Sequence, residues 1–194
     1  MRVTEASSGR VAILAGGMGR RLGGVKPAML LGGRPLVEYP IRAAREAGLD
    51  AVVVAKRDSP LPQVDCPVVY EPDSPQHPLC GIVAALMSGG SATAVACDMP
   101  FVTPALLARL CGSRKTTFAQ LGGRPQPLLA RYSGSDLPSL ETALHAGRTM
   151  RETLSLLDAR ALPEHELARY GDPARLCFNV NGEEDLRVAE AWLR

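Results

Sequence analysis

Aromatic residues make up only 4% of this 194-residue chain, with a single tryptophan. Single-stranded nucleic acid is usually held by stacking its bases on aromatic faces. The formal net charge of +2 supplies no broad basic field for a phosphate backbone either. Nucleic acid is therefore excluded as an expected partner. Long apolar runs are missing as well: none approaches the ~20 residues that span a bilayer, and the first residues lack a signal-peptide core. The expectation is a cytoplasmic chain with no membrane partner. The five cysteines, Cys66, Cys80, Cys97, Cys111 and Cys177, are odd in number and contain no C-x-x-C pair. That excludes a disulfide framework or zinc knuckle and predicts mostly buried thiols in a reducing compartment. His77, His145 and His165 lack metal-ligand spacing and read as structural or surface residues.

What remains is an ordinary soluble composition, 46% hydrophobic and 22% charged, in a length that suits one domain over residues 1–194. Residues 1–9 are expected as a flexible N-terminus. A chain of this size buries roughly 70% of its unfolded surface.

The most informative stretch runs from Leu14 to Lys26. An apolar run, Val11-Ala12-Ile13-Leu14, reads as a buried strand. It opens directly into a turn holding Gly16, Gly17, Gly19, Gly23 and Gly24. Backbone without side chains can curl its N–H groups against a ligand, and Arg20, Arg21 and Lys26 add cations to the same loop. Donors and cations at the carboxyl end of a strand describe a polyphosphate site. A dinucleotide fingerprint begun at Gly17 would need glycine at Leu22, and a Walker loop begun at Gly19 would need lysine at Val25. Both fail. The pattern that fits is L-A-G-G-x-x-x-R-x-G-x-x-K, with Arg21, Gly23 and Lys26 in register.

Along the rest of the chain, short apolar strands alternate with amphipathic helices, which predicts an α/β domain with a largely parallel sheet. Helices are expected over 36–47, closed by Gly48, and over 81–88, from Pro104, over 137–146, 149–157 and 183–193. Strands are expected over 51–55, 67–70, 93–97, 116–119 and 127–132, with a further strand and turn over 177–181. A passage from Asp58 to Pro78 carries six prolines and is expected to be mostly loop.

A second chemical signal is Cys97-Asp98-Met99-Pro100. Here a small, apolar strand ends on an acid at the sheet edge where open α/β folds bind ligands. A carboxylate there suits Mg²⁺, which prefers oxygen ligands and is commonly shared with substrate phosphates. The alternative is that Asp98 caps its turn or the helix near Pro104.

Together these residues make the chain resemble the molybdenum cofactor guanylyltransferases. Further pieces carry the likeness: Gly33-Arg34-Pro35-Leu36; Glu71-Pro72-Asp73-Ser74 before Pro78-Leu79-Cys80-Gly81; Gln126-Pro127-Leu128-Leu129-Ala130; and Phe178-Asn179-Val180-Asn181 before Glu184-Asp185-Leu186. The resemblance implies a three-layer α/β/α Rossmann-like nucleotidyltransferase fold with a mostly parallel mixed sheet. It implies transfer of GMP from GTP to a molybdopterin phosphate, with Mg²⁺ as cofactor and transient contact with other molybdenum cofactor enzymes. By the same resemblance Leu14, Ala15, Gly16, Gly17, Lys26, Asp73 and Asp98 bind nucleotide, and Arg21, Lys26 and Asp98 are catalytic. Asp98 is the metal ligand, and Asn179 and Asn181 lie on the acceptor side. The chain departs from the family pattern at Val25, at Ala55-Lys56 in place of an asparagine, at His77 and at Gly182. Competing readings are a guanylyltransferase for adenosylcobinamide phosphate, a molybdenum cofactor cytidylyltransferase, and a non-catalytic nucleotide-binding protein.

Overall fold

Strands and helices alternate along the chain, and the computed structural model describes residues 9–16 and 26–194 of it. The expectations for residues 1–8, and for Gly17, Arg20, Arg21 and the glycines beside them, lie outside the described residues. β1 (Arg10–Leu14) is followed by a short turn of helix at Lys26–Ala28 and a hairpin of β2 (Leu30–Leu31) and β3 (Arg34–Pro35). The hairpin turns on Gly32 and Gly33, both at positive φ, the two-residue turn whose twist suits paired strands. α1 (Glu38–Glu46) then leads to β4 (Asp50–Ala55) and β5 (Val68–Tyr70). α2 (Pro78–Gly89), β6 (Ala92–Ala96) and α3 (Pro104–Cys111) come next, before the hairpin of β7 (Thr117–Leu121) and β8 (Arg124–Tyr132). The chain closes with α4 (Leu137–His145), α5 (Met150–Leu156), β9 (Arg160–Leu162), α6 (Glu164–Leu167), α7 (Pro173–Leu176) and α8 (Glu183–Leu193).

Seven strands form one sheet in the order β5-β4-β1-β6-β8-β7-β9. β5, β4, β1 and β6 are parallel, β8 runs antiparallel to β6, and β7 and β9 are parallel to each other. The central strands are buried on both faces, so they read as continuous apolar runs rather than alternating ones. Val11, Ile13, Val53 and Val95 pack on one side with Ile41 and Ala44 of α1 and Leu106, Leu107 and Leu110 of α3. Ala12, Val52, Val54 and Ala94 pack on the other with Leu79 and Ile82 of α2, Leu140 of α4 and Leu154 of α5. This is the expected three-layer arrangement with a mostly parallel mixed sheet.

Most expected elements stand within a few residues of their places, and the differences have local causes. α2 begins three residues early because His77 is its N-cap, accepting the Leu79 N–H on Nδ1 at 3.2 Å, with Pro78 in the first turn. The strand expected over 177–181 does not form. The Cys177 and Phe178 N–H groups instead finish α7, and Val180 donates to the Asp98 carbonyl at 2.9 Å, beyond the end of β6. The apolar side chains that suggested a strand go elsewhere: Val180 is buried with Leu31, Leu36 and Ala189, and Phe178 packs against that group.

This third core ties the C-terminal helix to the end of the sheet. Trp192 of α8 meets Phe101 edge-on at 5.3 Å and Phe178 at 4.8 Å, with the Arg175 guanidinium 5.0 Å over its ring. Each aromatic pair contributes about 0.5–1.5 kcal/mol beyond simple burial. Trp192→Ala is therefore expected to lower unfolding free energy by about 2 kcal/mol. Denaturant unfolding at unchanged m-value checks this, and a midpoint equal to wild type would remove Trp192 from the account.

Candidate active site

The chain leaves β1 for β4 and β5 on one side, then crosses back through α2 to β6 on the other. β1 and β6 therefore flank the point where strand order reverses, and the crevice at their carboxyl ends is where open α/β sheets bind ligands. Register puts Leu14 beside Ala96, so the backbone past each strand brings Gly16 and Asp98 to one place. A cavity of about 470 Å³ opens there, with Leu14, Gly16, Lys26, Asp98, Asn179 and Asn181 in its wall.

Within it, Lys26 and Asp98 meet although they are far apart in sequence. Lys26 Nζ lies 2.5 Å from Asp98 Oδ2 and donates to Asn181 Oδ1 at 2.8 Å. An ammonium carries three donors, so the described residues leave one for a ligand oxygen. Asp98 is only 8% exposed, and its other oxygen, Oδ1, is buried without a hydrogen-bond partner among the described residues. A buried carboxylate oxygen left unpaired is costly; an ion or a donor arriving with a ligand would satisfy it. Asp98 does not cap the next helix, because Thr103 Oγ1 accepts the Leu106 N–H there. The segment after α7 is braced against this pair: Asn179 Nδ2 donates to the Cys177 carbonyl, Asn181 Nδ2 to the Asn179 carbonyl, and the Asn181 N–H to Asp185 at 2.7 Å.

Two of the expected nucleotide-binding residues do not line this cavity. Ala15 is buried behind the wall, its N–H committed to the Val54 carbonyl at 2.8 Å. Asp73 is exposed on its loop and does not line the cavity. The acid that does is Glu71, two residues earlier and 8% exposed. Its Oε1 is 3.6 Å from Nζ of Lys56, itself 7% exposed, which also donates to the Pro72 carbonyl at 2.6 Å. Burial raises the Glu71 proton affinity above the ordinary carboxylate value, and Lys56 opposes that shift. The carboxylate fills space that side chains would take: a Cβ on Gly16 would overlap it, and one on Gly81 would come within 2.9 Å. A signal for both residues was present in the chain. Lys56 and Glu71 each follow immediately on the end of a parallel strand, as Asp98 follows closely on β6.

Nothing in the described wall suits covalent catalysis. Cys97 lines the cavity, but burial and the neighbouring Asp98 charge push its thiol far up, so it stays protonated. Burial pushes the His77 imidazole down, which keeps Nδ1 free to cap α2. All five cysteines are free, three of them buried. No helix among the described residues is long and apolar enough to cross a membrane.

A sequence model of the MobA-like NTP transferase domain family matches residues 11–163. The molybdenum cofactor guanylyltransferase of Cereibacter sphaeroides is 34% identical, covering 94% of this chain and 95% of that protein. A probable molybdenum cofactor guanylyltransferase of Opitutus terrae is 32% identical over 87% of this chain and 91% of its own. Among solved structures, molybdopterin-guanine dinucleotide biosynthesis protein A from Archaeoglobus fulgidus superposes with a TM-score of 0.81 at 29% identity, covering 95% of this chain and 98% of that one. The 2-C-methyl-D-erythritol 4-phosphate cytidylyltransferase of Thermus thermophilus, at TM-score 0.69 and 16% identity over 94% of this chain and 97% of its own, shares the fold.

Proposed function

The chain belongs to the MobA-like NTP transferase domain family, and on that premise we propose that it moves GMP from GTP onto the phosphate of a molybdopterin. Pyrophosphate leaves and the guanine dinucleotide form of the cofactor results. The observation that carries this reading is the meeting of Lys26, Asp98 and Asn181 with Gly16 in one crevice at the strand-order reversal. The names borne by the similar guanylyltransferases support the base and the acceptor.

In this reaction an acceptor phosphate oxygen attacks the α-phosphorus in line. A P–O bond forms there as the bond to the β-phosphate bridging oxygen breaks, and pyrophosphate departs with that electron pair. Both reactants are anions, so the protein mainly positions them and neutralises charge. Lys26 offers its remaining donor to the triphosphate while Asp98 and Asn181 fix the ammonium in place. Gly16, lacking a side chain, leaves room in the crevice wall for the Glu71 carboxylate. No general base is required, since the acceptor phosphate is already ionised at neutral pH, which fits a wall with no activated nucleophile.

The donor set also fits Mg²⁺. Among the described residues no group of three or more His, Cys, Asp or Glu is placed to hold a metal ion, which argues against an all-protein cage there but suits an ion completed by substrate phosphates. Asp98, through its unpartnered Oδ1, is the residue that would hold it. When bound, the ion would supply further neutralisation of the phosphates.

The test is purified protein with Mg²⁺, each of the four triphosphates, and either molybdopterin or adenosylcobinamide phosphate. Pyrophosphate release is expected with GTP and molybdopterin. Preference for CTP, or for the cobinamide acceptor, would move the chain to a neighbouring activity, and no release from any pair would overturn transfer.

A further inference from the structure

Lys56 and Glu71 form a second buried ion pair in the same cavity wall, separate from Lys26 and Asp98, and the transfer chemistry does not use it. Its placement follows from strand pairing. β5 pairs in parallel with β4, and the Glu71 N–H continues that ladder by donating to the Ala55 carbonyl at 3.0 Å. Glu71 is thereby placed beside Lys56, the residue that follows Ala55. The Lys56 ammonium is then anchored by the Pro72 carbonyl at 2.6 Å, so it stays put whether or not Glu71 is ionised. The absence of side chains at Gly16 and Gly81 gives the carboxylate its place between β1 and α2.

We propose that Lys56 is a positioning residue that keeps Glu71 ionised and fixed in the cavity wall, where the carboxylate accepts hydrogen bonds from the base of a bound guanine nucleotide. This rests on the guanylyl-transfer reading above. Guanine presents two adjacent donors, N1–H and the N2 amino group, which match the two oxygens of a carboxylate. Adenine presents an acceptor at N1, which a carboxylate repels. A protonated Glu71 would lose half of that discrimination, and burial alone drives it toward the protonated form. The cation 3.6 Å away is what opposes this.

Other groups facing Glu71 do not substitute for Lys56. Asp73 on the same loop raises the proton affinity of Glu71. Cys80 of α2 is held protonated by burial and by the Glu71 charge itself. Burial lowers the proton affinity of His77, at the start of α2. Lys26 in the same wall is engaged with Asp98 and Asn181.

The experiment measures GTP and ATP affinity of the full chain at pH 6 and pH 8.5 for wild type, Lys56→Met, Lys56→Arg, Glu71→Gln and the double variant Lys56→Met/Glu71→Gln. Each variant is expressed as a ratio to wild type at the same pH, which cancels ionisation of the ligand phosphates and of His77. An opposite charge at this range shifts a carboxyl by about 1–3 pH units, each unit a factor of ten in ionised fraction. Lys56→Met is therefore expected to bind GTP about tenfold worse at pH 6 than its own ratio at pH 8.5. Lys56→Arg should follow wild type at both values. Glu71→Gln should narrow the GTP-over-ATP preference without a pH step, and the double variant should match it. A Lys56→Met profile parallel to wild type, whether weakened or not, would overturn the proposal, because a merely structural role weakens binding equally at every pH. If Lys56→Met does not fold, the double variant, which leaves no buried charge unpaired, decides: affinity at pH 8.5 below that of Glu71→Gln overturns the proposal, and equality supports it. Wild-type protein that binds no purine nucleotide would instead sink the guanylyl-transfer reading, which keeps the two failures apart.

Discussion

Asp98→Asn is expected to lower kcat/KM for guanylyl transfer by about 10³-fold, close to 4 kcal/mol of transition-state stabilisation. The substitution keeps size and shape, so the turn after β6 should persist, with Val180 still donating to the residue-98 carbonyl. Two electrostatic features vanish together. Lys26 loses the carboxylate 2.5 Å from its ammonium, and the buried Oδ1, which has no partner among the described residues, no longer offers an anionic ligand to Mg²⁺. Removing one member of a largely buried pair commonly costs about 3–5 kcal/mol of folding stability, so folding is verified alongside the kinetics; the catalytic loss is expected because an amide is a poor magnesium ligand beside a carboxylate. Steady-state kinetics across a magnesium titration, with circular dichroism to verify folding, reads the result. Turnover within threefold of wild type at ordinary magnesium would falsify the assignment of Asp98.

Lys26→Ala should cost about 10²-fold, expressed mainly in kcat. A charge-assisted hydrogen bond contributes about 1.5–3 kcal/mol, and charge on the departing pyrophosphate is greatest in the transition state. A loss confined to KM would mean that Lys26 grips ground state and transition state equally. The variant also frees Asn181 Oδ1 and Asp98 Oδ2 from the ammonium that joins them. Asp98→Asn and Lys26→Ala should accordingly be less than additive, since each removes the same contact. Full additivity in the double variant would show that the pair works as two independent groups.

The three-layer architecture was legible because its signals are local. Val11 to Leu14, Ala51 to Ala55 and Thr93 to Cys97 are apolar runs too short for helices and bounded by turn residues. Such runs between amphipathic segments leave few arrangements other than a covered, mostly parallel sheet. Residues 177–181 misled for the same reason. Their apolar pattern is that of a strand, but Cys177 and Phe178 finish α7 and Val180 fills the gap between α8 and the β2–β3 hairpin instead. Burial was read correctly there and its geometry was not.

Composition and short motifs, then, were enough for the class of fold, for a glycine-rich segment after β1 and for an acid just past the end of β6, since each depends on residues a few positions apart. The placement of Glu71 rather than Asp73 in the cavity wall, the pairing of Glu71 with Lys56, and the bridge from Lys26 to Asp98 and Asn181 came from the folded chain alone. Those contacts join residues separated by 15 to 155 positions along the chain. Strand register and loop path bring such partners together, and no local preference of either partner encodes where the other will stand.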